Sequence, residues 1–232
     1  MKDTRIIYEN EEILIIDKPF GLSVQGGEGV KVSLDEGLSK ELGYKIHLVH
    51  RLDKETAGLM VVAKSSKAAN KWISLISSKQ VKKEYTAICF GNPVLEGKEV
   101  MQGTLKNSLV KNGRELSAVT HFEVLSSKDF EFKMNEAQDS ILQKINLSVL
   151  HLTLGTGRMH QIRIHLAKAL CPIVGDDRHG NFKLNKKIRS LKIKKLCLAS
   201  TKLTIPTAMG KNMVFEISLP EHMQKIMDLM KN

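Results

Sequence analysis

Long apolar runs are missing from this sequence. The longest early one, Ile13 to Ile16, follows Glu9, Glu11 and Glu12, whereas a secretory leader needs a longer apolar core with basic flanks. Nothing approaches the roughly 20 apolar residues of a membrane-spanning helix, so no membrane partner is expected. Cysteine is scarce: Cys89, Cys171 and Cys197 are widely separated, odd in number and form no C-x-x-C pair. That argues against a disulfide framework or a zinc site and fits a reducing cytoplasm. Aromatic residues make up only 5% of the chain, with one tryptophan, so any stacking on nucleobases must come from few side chains. Repeats, low-complexity tracts and linkers are lacking. No Walker lysine, helix-turn-helix spacing or zinc-finger pattern is found either.

What the chain has in excess is positive charge. Lysine and arginine total 36 against 25 acidic residues, a formal net charge of +11, which favours a polyanionic partner. The remaining composition, 42% apolar and 26% charged over 232 residues, is that of an ordinary globular protein, large enough for one generous domain or two small ones.

The centre of the sequence is Leu48 to Lys64. Leu59 to Ala63 is an unbroken apolar run between Gly58 and Lys64, the pattern of a buried strand. Before it lies a charged loop with one imidazole, one guanidinium and two carboxylates: His50, Arg51, Asp53 and Glu55. A carboxylate on a loop feeding a buried strand can be held on a fixed scaffold beside a cleft; a surface ion pair on a tight turn is the plainer alternative.

Around that centre, Arg5 to Tyr8 and Ile13 to Ile16 read as short strands broken by a turn at Asn10. Val24 to Gly29 reads as a glycine-rich turn, and Leu34 to Leu42 as a helix stopped by Gly43. Ser65 caps a helix running to about Ser78, whose stripe of Ala68, Ala69, Trp72, Leu75 and Ile76 puts the tryptophan in the core. Lys82 to Gly91, Glu99 to Leu105, Ser117 to Ser126 and Asn146 to Leu154 predict strands, and the polar, aperiodic Lys128 to Lys144 predicts a long hairpin loop. Gly155 to Ala167 is a loop feeding a helix whose start carries Arg158, His160 and Arg163, an anion-attracting surface. His160 and His165 would not share a helix face, so no metal pair is expected. Lys183 to Lys195 holds seven basic residues in thirteen, a contact for an RNA backbone or a solvated charge run. Leu196 to Ile205 and Met213 to Leu219 predict closing strands. A terminal helix follows Pro220, with Met223, Ile226, Met227 and Met230 facing the core.

His50-Arg51-Leu52-Asp53-Lys54-Glu55-Thr56-Ala57-Gly58-Leu59 resembles the signature loop of the RluA-type pseudouridine synthases, H-R-L-D-x-x-T-S-G-L, with Ala57 in place of serine. Lys18-Pro19-Phe20-Gly21-Leu22 resembles the family's K-P-x-G-L element, and Lys83 and Tyr85 occupy the positions of K-x-Y-x-A-x-x-x-G. Gly157-Arg158-Met159-His160-Gln161-Ile162-Arg163-Ile164-His165 resembles G-R-T-H-Q-I-R-x-H with Met159 for threonine. Pro172 to Gly180 resembles P-I-x-G-D-x-x-Y-G with His179 for tyrosine. The likeness runs in family order from about residue 5 to residue 220.

The resemblance implies a single catalytic domain over residues 1–232. Its fold would be α+β, a mixed, mainly antiparallel twisted sheet flanked by helices. In such enzymes the aspartate at Asp53 is essential, and the arginine at Arg163 pairs with it. The tyrosine at Tyr85 lies against the target uracil and takes part in a late proton transfer. Arg51 would fill the space left by the flipped base, and His50, Arg158, His160, Gln161 and Arg178 would join it in contacting RNA. The reaction is an isomerisation, so neither cofactor nor metal is expected. No S4 domain of the kind many relatives carry is expected, because Asp53 lies so near Met1. The glycine-rich Gln25 to Gly29 and the Gly175 to Arg178 turn look most like members acting on large-subunit (23S) ribosomal RNA; a tRNA enzyme is the alternative. A non-catalytic RNA-binding protein on the same fold is the reading from another class, and Asp53, Tyr85 and Arg163 occurring together speak against it. A monomer acting on RNA in the cytoplasm is expected.

Overall fold

The computed structural model describes residues 4–111, 113–136, 139–207 and 210–231. In chain order the elements are β1 (Arg5–Glu9), β2 (Ile13–Lys18), α1 (Leu34–Leu42), β3 (His47–Leu48), β4 (Ala57–Ala63), α2 (Ser66–Ser77) and β5 (Lys82–Phe90). There follow β6 (Val94–Leu95), β7 (Lys98–Glu99), β8 (Gln102–Lys106), β9 (Leu109–Lys111), β10 (Arg114–Leu116), β11 (Val119–Glu136) and β12 (Asp139–Leu154). The chain closes with α3 (Gln161–Lys168), α4 (Phe182–Ile188), a 3-10 turn (Arg189–Leu191), β13 (Leu198–Pro206), β14 (Asn212–Glu216) and α5 (Glu221–Lys231). The class is α+β, with mainly antiparallel strands and flanking helices, as expected. Two compact units are distinguished: residues 1–84 with 199–218, and residues 85–198 with 219–232.

In the first unit the strand order is β1-β2-β4-β13, with β14 on β13 and β3 on β4. Asn10 makes the β1–β2 turn by accepting the backbone N–H groups of Glu12 and Ile13 at 2.9 Å each, the local bonding that favours asparagine in turns. Strand β2 pairs antiparallel with β4 from Ile13↔Ala63 to Lys18↔Gly58. The other edge of β4 is covered twice: by β13, parallel, at Ala57↔Ala199 and Gly58↔Ser200, and by β3, antiparallel, at His47↔Ala63 and Leu48↔Val62. Every residue of β4 is therefore buried, which is why its sequence is a continuous apolar run without alternation. One face packs Leu59, Val61 and Ala63 with Ile13 and Ile15 against Ala68, Ala69 and Trp72 of α2. Ser65 caps that helix by accepting the Ala68 N–H. Trp72 is core, as its stripe predicts, and its indole N–H donates to Glu12 at 3.1 Å, supplying the polar partner that a buried tryptophan needs.

In the second unit β5, β12, β11 and β8 follow one another in the sheet. Strands β11 and β12 pair from Thr120↔Leu154 to Glu136↔Asp139, with one irregularity between Val124 and Ser126. Lys128 to Lys144 is thus a two-stranded ribbon and not the expected loop, although 137–138, at its tip, lie outside the described residues. Ser126 to Asp129 are all exposed, so this run shows no period to read; beside the backbone ladder, Ser127 Oγ donates to Asn146 and the Asn146 amide donates to Asp129, each at 3.0 Å. The buried side chains of the unit include Ile88, Leu150, Leu152, Leu166, Ile173 and Val174, and Met223 and Ile226 of α5. Cys89, Cys171 and Cys197 are free and buried, so they serve as small apolar side chains.

Candidate active site

On the first unit, Asp53 sits half-buried in the loop between β3 and β4. That loop turns tightly, with the Thr56 N–H donating to the Asp53 carbonyl at 3.1 Å. It is also fastened to the loop after β2. The Lys54 carbonyl accepts the Gly21 N–H at 2.9 Å and the Lys18 ammonium at 3.2 Å. Lys18 itself is 0% exposed, and its Nζ also donates to the carbonyls of Pro19 and Leu22 at 2.9 Å each. Three carbonyl acceptors offset the loss of water around the ammonium. Burial pulls the Lys18 pKa down to about 8, against the attraction of Asp53 and then Asp17. The lysine that ends β2, just past the apolar run Ile13 to Ile16, is thus the clamp of the aspartate loop, a role that sequence reasoning did not assign. A lysine at a strand end reads as surface charge, and only its carbonyl partners reveal otherwise.

His50 fastens the other end of the loop. Its Nε2 accepts the Val61 N–H of β4 at 3.1 Å, which makes the ring neutral and places its proton on Nδ1. Burial, helped by nearby Lys83 and opposed by a backbone contact at Arg51, lowers its pKa to about 3. Arg51 is exposed. Gly58, with φ +109°, enters β4 where a Cβ would stand 2.2 Å from the Ser200 carbonyl oxygen; glycine is required for the two backbones to come together there. The first unit thus presents a carboxylate on a loop held at both ends.

On the second unit, Tyr85 is 5% exposed on β5. Arg163, in the first turn of α3, is 2% exposed and grips Asp176 with both ends of its fork: Nε to Oδ2 at 2.8 Å and Nη2 to Oδ1 at 2.7 Å. Asp176 also accepts the N–H groups of Arg178 and His179 at 3.0 and 2.9 Å. Burial alone would raise the carboxyl's pKa, but the Arg163 and backbone hydrogen bonds outweigh it and hold the group below its ordinary value. The sequence singled out Arg163 and the Gly175 to Arg178 turn separately; the fold joins them.

Gln161 is 3% exposed, and its amide is fully used within the protein. Its Oε1 accepts Thr156 Oγ1 at 2.7 Å and the Arg158 N–H at 3.0 Å. Its Nε2 donates to the Val119 carbonyl at 2.9 Å and to Thr120 Oγ1 at 3.0 Å. It braces the loop that presents Arg158 and Met159, both exposed. His160, with left-handed backbone at φ 51°, places its Nδ1 2.8 Å from Nε2 of His179, the residue that stands where the resembling family has tyrosine. Arg178 is exposed beside it. Among the described residues no cluster of three or more His, Cys, Asp or Glu could hold a metal ion, and no helix is long and apolar enough to cross a membrane.

Known proteins resolve what these pieces belong to. The family described as RNA pseudouridylate synthase matches residues 12–168. The ribosomal large subunit pseudouridine synthase C of Rickettsia prowazekii is 35% identical over 220 residues, covering 93% of this chain and 68% of that protein. The ribosomal large subunit pseudouridine synthase D of Buchnera aphidicola is 31% identical, covering 96% of this chain and 72% of that protein. Among solved structures, human RNA pseudouridylate synthase domain containing 4 matches with a TM-score of 0.70 at 22% identity, over 97% of this chain and 92% of that one. The fold and the matched loops are those of an RNA-modifying isomerase. The chain belongs to the RNA pseudouridylate synthase family.

Proposed function

We propose that this enzyme converts specific uridines of large-subunit ribosomal RNA into pseudouridine, with Asp53, Tyr85 and Arg163 as its catalytic residues in one domain formed by the whole chain. The observation that carries the reading is the Asp53 loop, clamped by Lys18 on one side and by His50 on the other. A family signature with this degree of immobilisation suits a carboxylate that must meet a sugar carbon in one geometry. The ribosomal target rests on the names of the relatives, which span both the C and D types.

The reaction breaks the N1–C1′ glycosidic bond, turns the uracil and joins its C5 to C1′; C5 loses its proton and N1 takes one up. Atoms balance without a redox partner, so no cofactor enters. Asp53 acts at the sugar, by attack at C1′ or by proton removal at C2′. Tyr85 offers a flat ring to the uracil and a hydroxyl to the late proton transfer. The target nucleotide must leave its stack at a cost of a few kcal/mol, which pocket stacking and backbone contacts offset. Arg51 takes the vacated space, and Arg158, His160 and Arg178 meet the RNA. His50 and Gln161 serve the same purpose indirectly, by holding the loops that carry those groups. The chain acts as a monomer in the cytoplasm.

Tritium release from C5-labelled uridine tests this. Large-subunit ribosomal RNA transcripts are expected to release label and tRNA transcripts to release none; the reverse would reassign the target to tRNA, and silence with both would remove the activity. Mapping pseudouridines in cells lacking the gene then gives the positions.

A further inference from the structure

Exposed aromatic side chains are nearly absent among the described residues. Among the described side chains, Phe182 is the only phenylalanine, tyrosine or tryptophan that is exposed, at 65%. One exposed apolar residue is ordinary on any surface; its company is not. Phe182 opens α4 and the basic run, where Lys183, Lys186, Arg189, Lys192, Lys194 and Lys195 are all exposed. Three residues earlier stands His179, hydrogen-bonded to His160, and that contact ties the run to the loop carrying exposed Arg158 and Met159, the latter 62% exposed. Acidic groups offset only part of the patch. Asp176 is buried under Arg163, the exposed Asp177 pairs with Arg189 at 3.1 Å, and Glu221, which bonds Lys225, lies near Lys195 at the end of the run.

We propose that this surface is a platform for a single-stranded stretch of RNA, with a base stacked on the Phe182 ring and the phosphates running along the basic residues 183–195. The proposal rests on the reading of the protein as an RNA-modifying enzyme and names a part of its substrate surface outside the reacting residues. A flat ring set among cations is the arrangement that holds unpaired nucleotides without regard to sequence. Duplex RNA keeps its bases stacked on one another and has no face to offer Phe182.

The test compares the parent, Phe182→Ala and Phe182→Trp by anisotropy of a fluorescein-labelled, uridine-containing single-stranded RNA. The same strand annealed to its complement and heparin, a polyanion without bases, serve as the other two probes. Phe182→Ala should weaken single-strand binding by about 5- to 100-fold, the range of one lost base stack. It should leave the slope of log affinity against log salt unchanged, because no charge is removed, and should leave duplex and heparin binding unaltered. Phe182→Trp should bind as the parent does, with its indole fluorescence quenched by the single strand above the constant signal of buried Trp72. Equal single-strand affinity of parent and Phe182→Ala overturns the platform, as does an equal loss toward heparin. If the parent neither binds RNA nor releases tritium, the functional reading falls and the platform with it. If the parent isomerises uridine and Phe182→Ala is indistinguishable from it, the platform alone falls.

Discussion

Arg163 and Asp176 form a two-pronged ion pair, 2.8 and 2.7 Å long, with each side chain at most 2% exposed. It joins the first turn of α3 to the turn carrying Arg178 and His179. A buried pair of this kind seldom stabilises more than apolar packing would, but removing one partner leaves an uncompensated charge. Asp176→Asn should therefore lower the unfolding free energy by about 3–5 kcal/mol, seen as a lower urea midpoint. A midpoint within error of the parent would show that Arg163 finds its stabilisation elsewhere.

Asp53→Asn should leave the fold and RNA affinity nearly intact and bring tritium release below detection. The change is isosteric and removes only charge and basicity. Measurable turnover by this variant would remove Asp53 from the chemistry.

Tyr85→Phe keeps the ring and loses the hydroxyl. Product formation should slow by about 10²- to 10⁴-fold, the usual weight of a positioned acid or base, with little change in RNA affinity. Equal rates would confine the tyrosine to packing.

Lys18 and His50 make opposite demands on pH. The Lys18 pKa of about 8 lies below its ordinary value, so its charge is held below that pH and lost as pH rises through it. Turnover should decline above about pH 8 as the clamp on the Lys54 carbonyl and the field on Asp53 weaken; a flat profile to pH 10 would separate Lys18 from the reaction. For His50 the folded-state pKa of about 3 lies below the unfolded value. Between the two only the unfolded chain takes the proton, so stability should fall as pH drops from about 6.5 toward 3. Burial shifts His165, His179 and His222 in the same direction, so His50→Gln should flatten only part of the fall in urea midpoint between pH 7 and pH 4. An unchanged slope in that variant would show that His50 is not the group responsible.

Neutralising Lys186, Lys187, Lys192 and Lys194 together should flatten the dependence of log affinity on log salt by about 1–3 units for single-stranded RNA, with activity at saturating RNA retained. An unchanged slope would make the run a solvated face.

The parts of this protein that could be read from sequence are those whose burial follows one period. The continuous apolar Leu59 to Ala63 gave β4, and the stripe ending in Ile76 gave α2 with Trp72 inside. The ribbon from Lys128 to Lys144 was misread because its approach, Ser126 to Asp129, is exposed throughout and shows no alternation. Among the site residues, the motifs named Asp53 and Arg163 but could not say what holds them. Lys18, His50 and Gln161 are polar residues whose partners include backbone groups of other segments, at Lys54, Val61 and Val119, and such partners leave no mark on the local sequence. Gln161 in particular looks like a side chain meant for RNA until Val119 and Thr120 are seen against its amide.

The parallel meeting of Gly58 and Ser200 sets a schedule for the newborn chain. The strand leading out of the aspartate loop is complete on that edge only when the segment from Leu198 onward has left the ribosome. At roughly 5–20 residues per second, the loop waits on the order of ten seconds or more after its own synthesis. A nascent chain halted before Leu198 carries the Asp53 loop and yet lacks one wall of its scaffold.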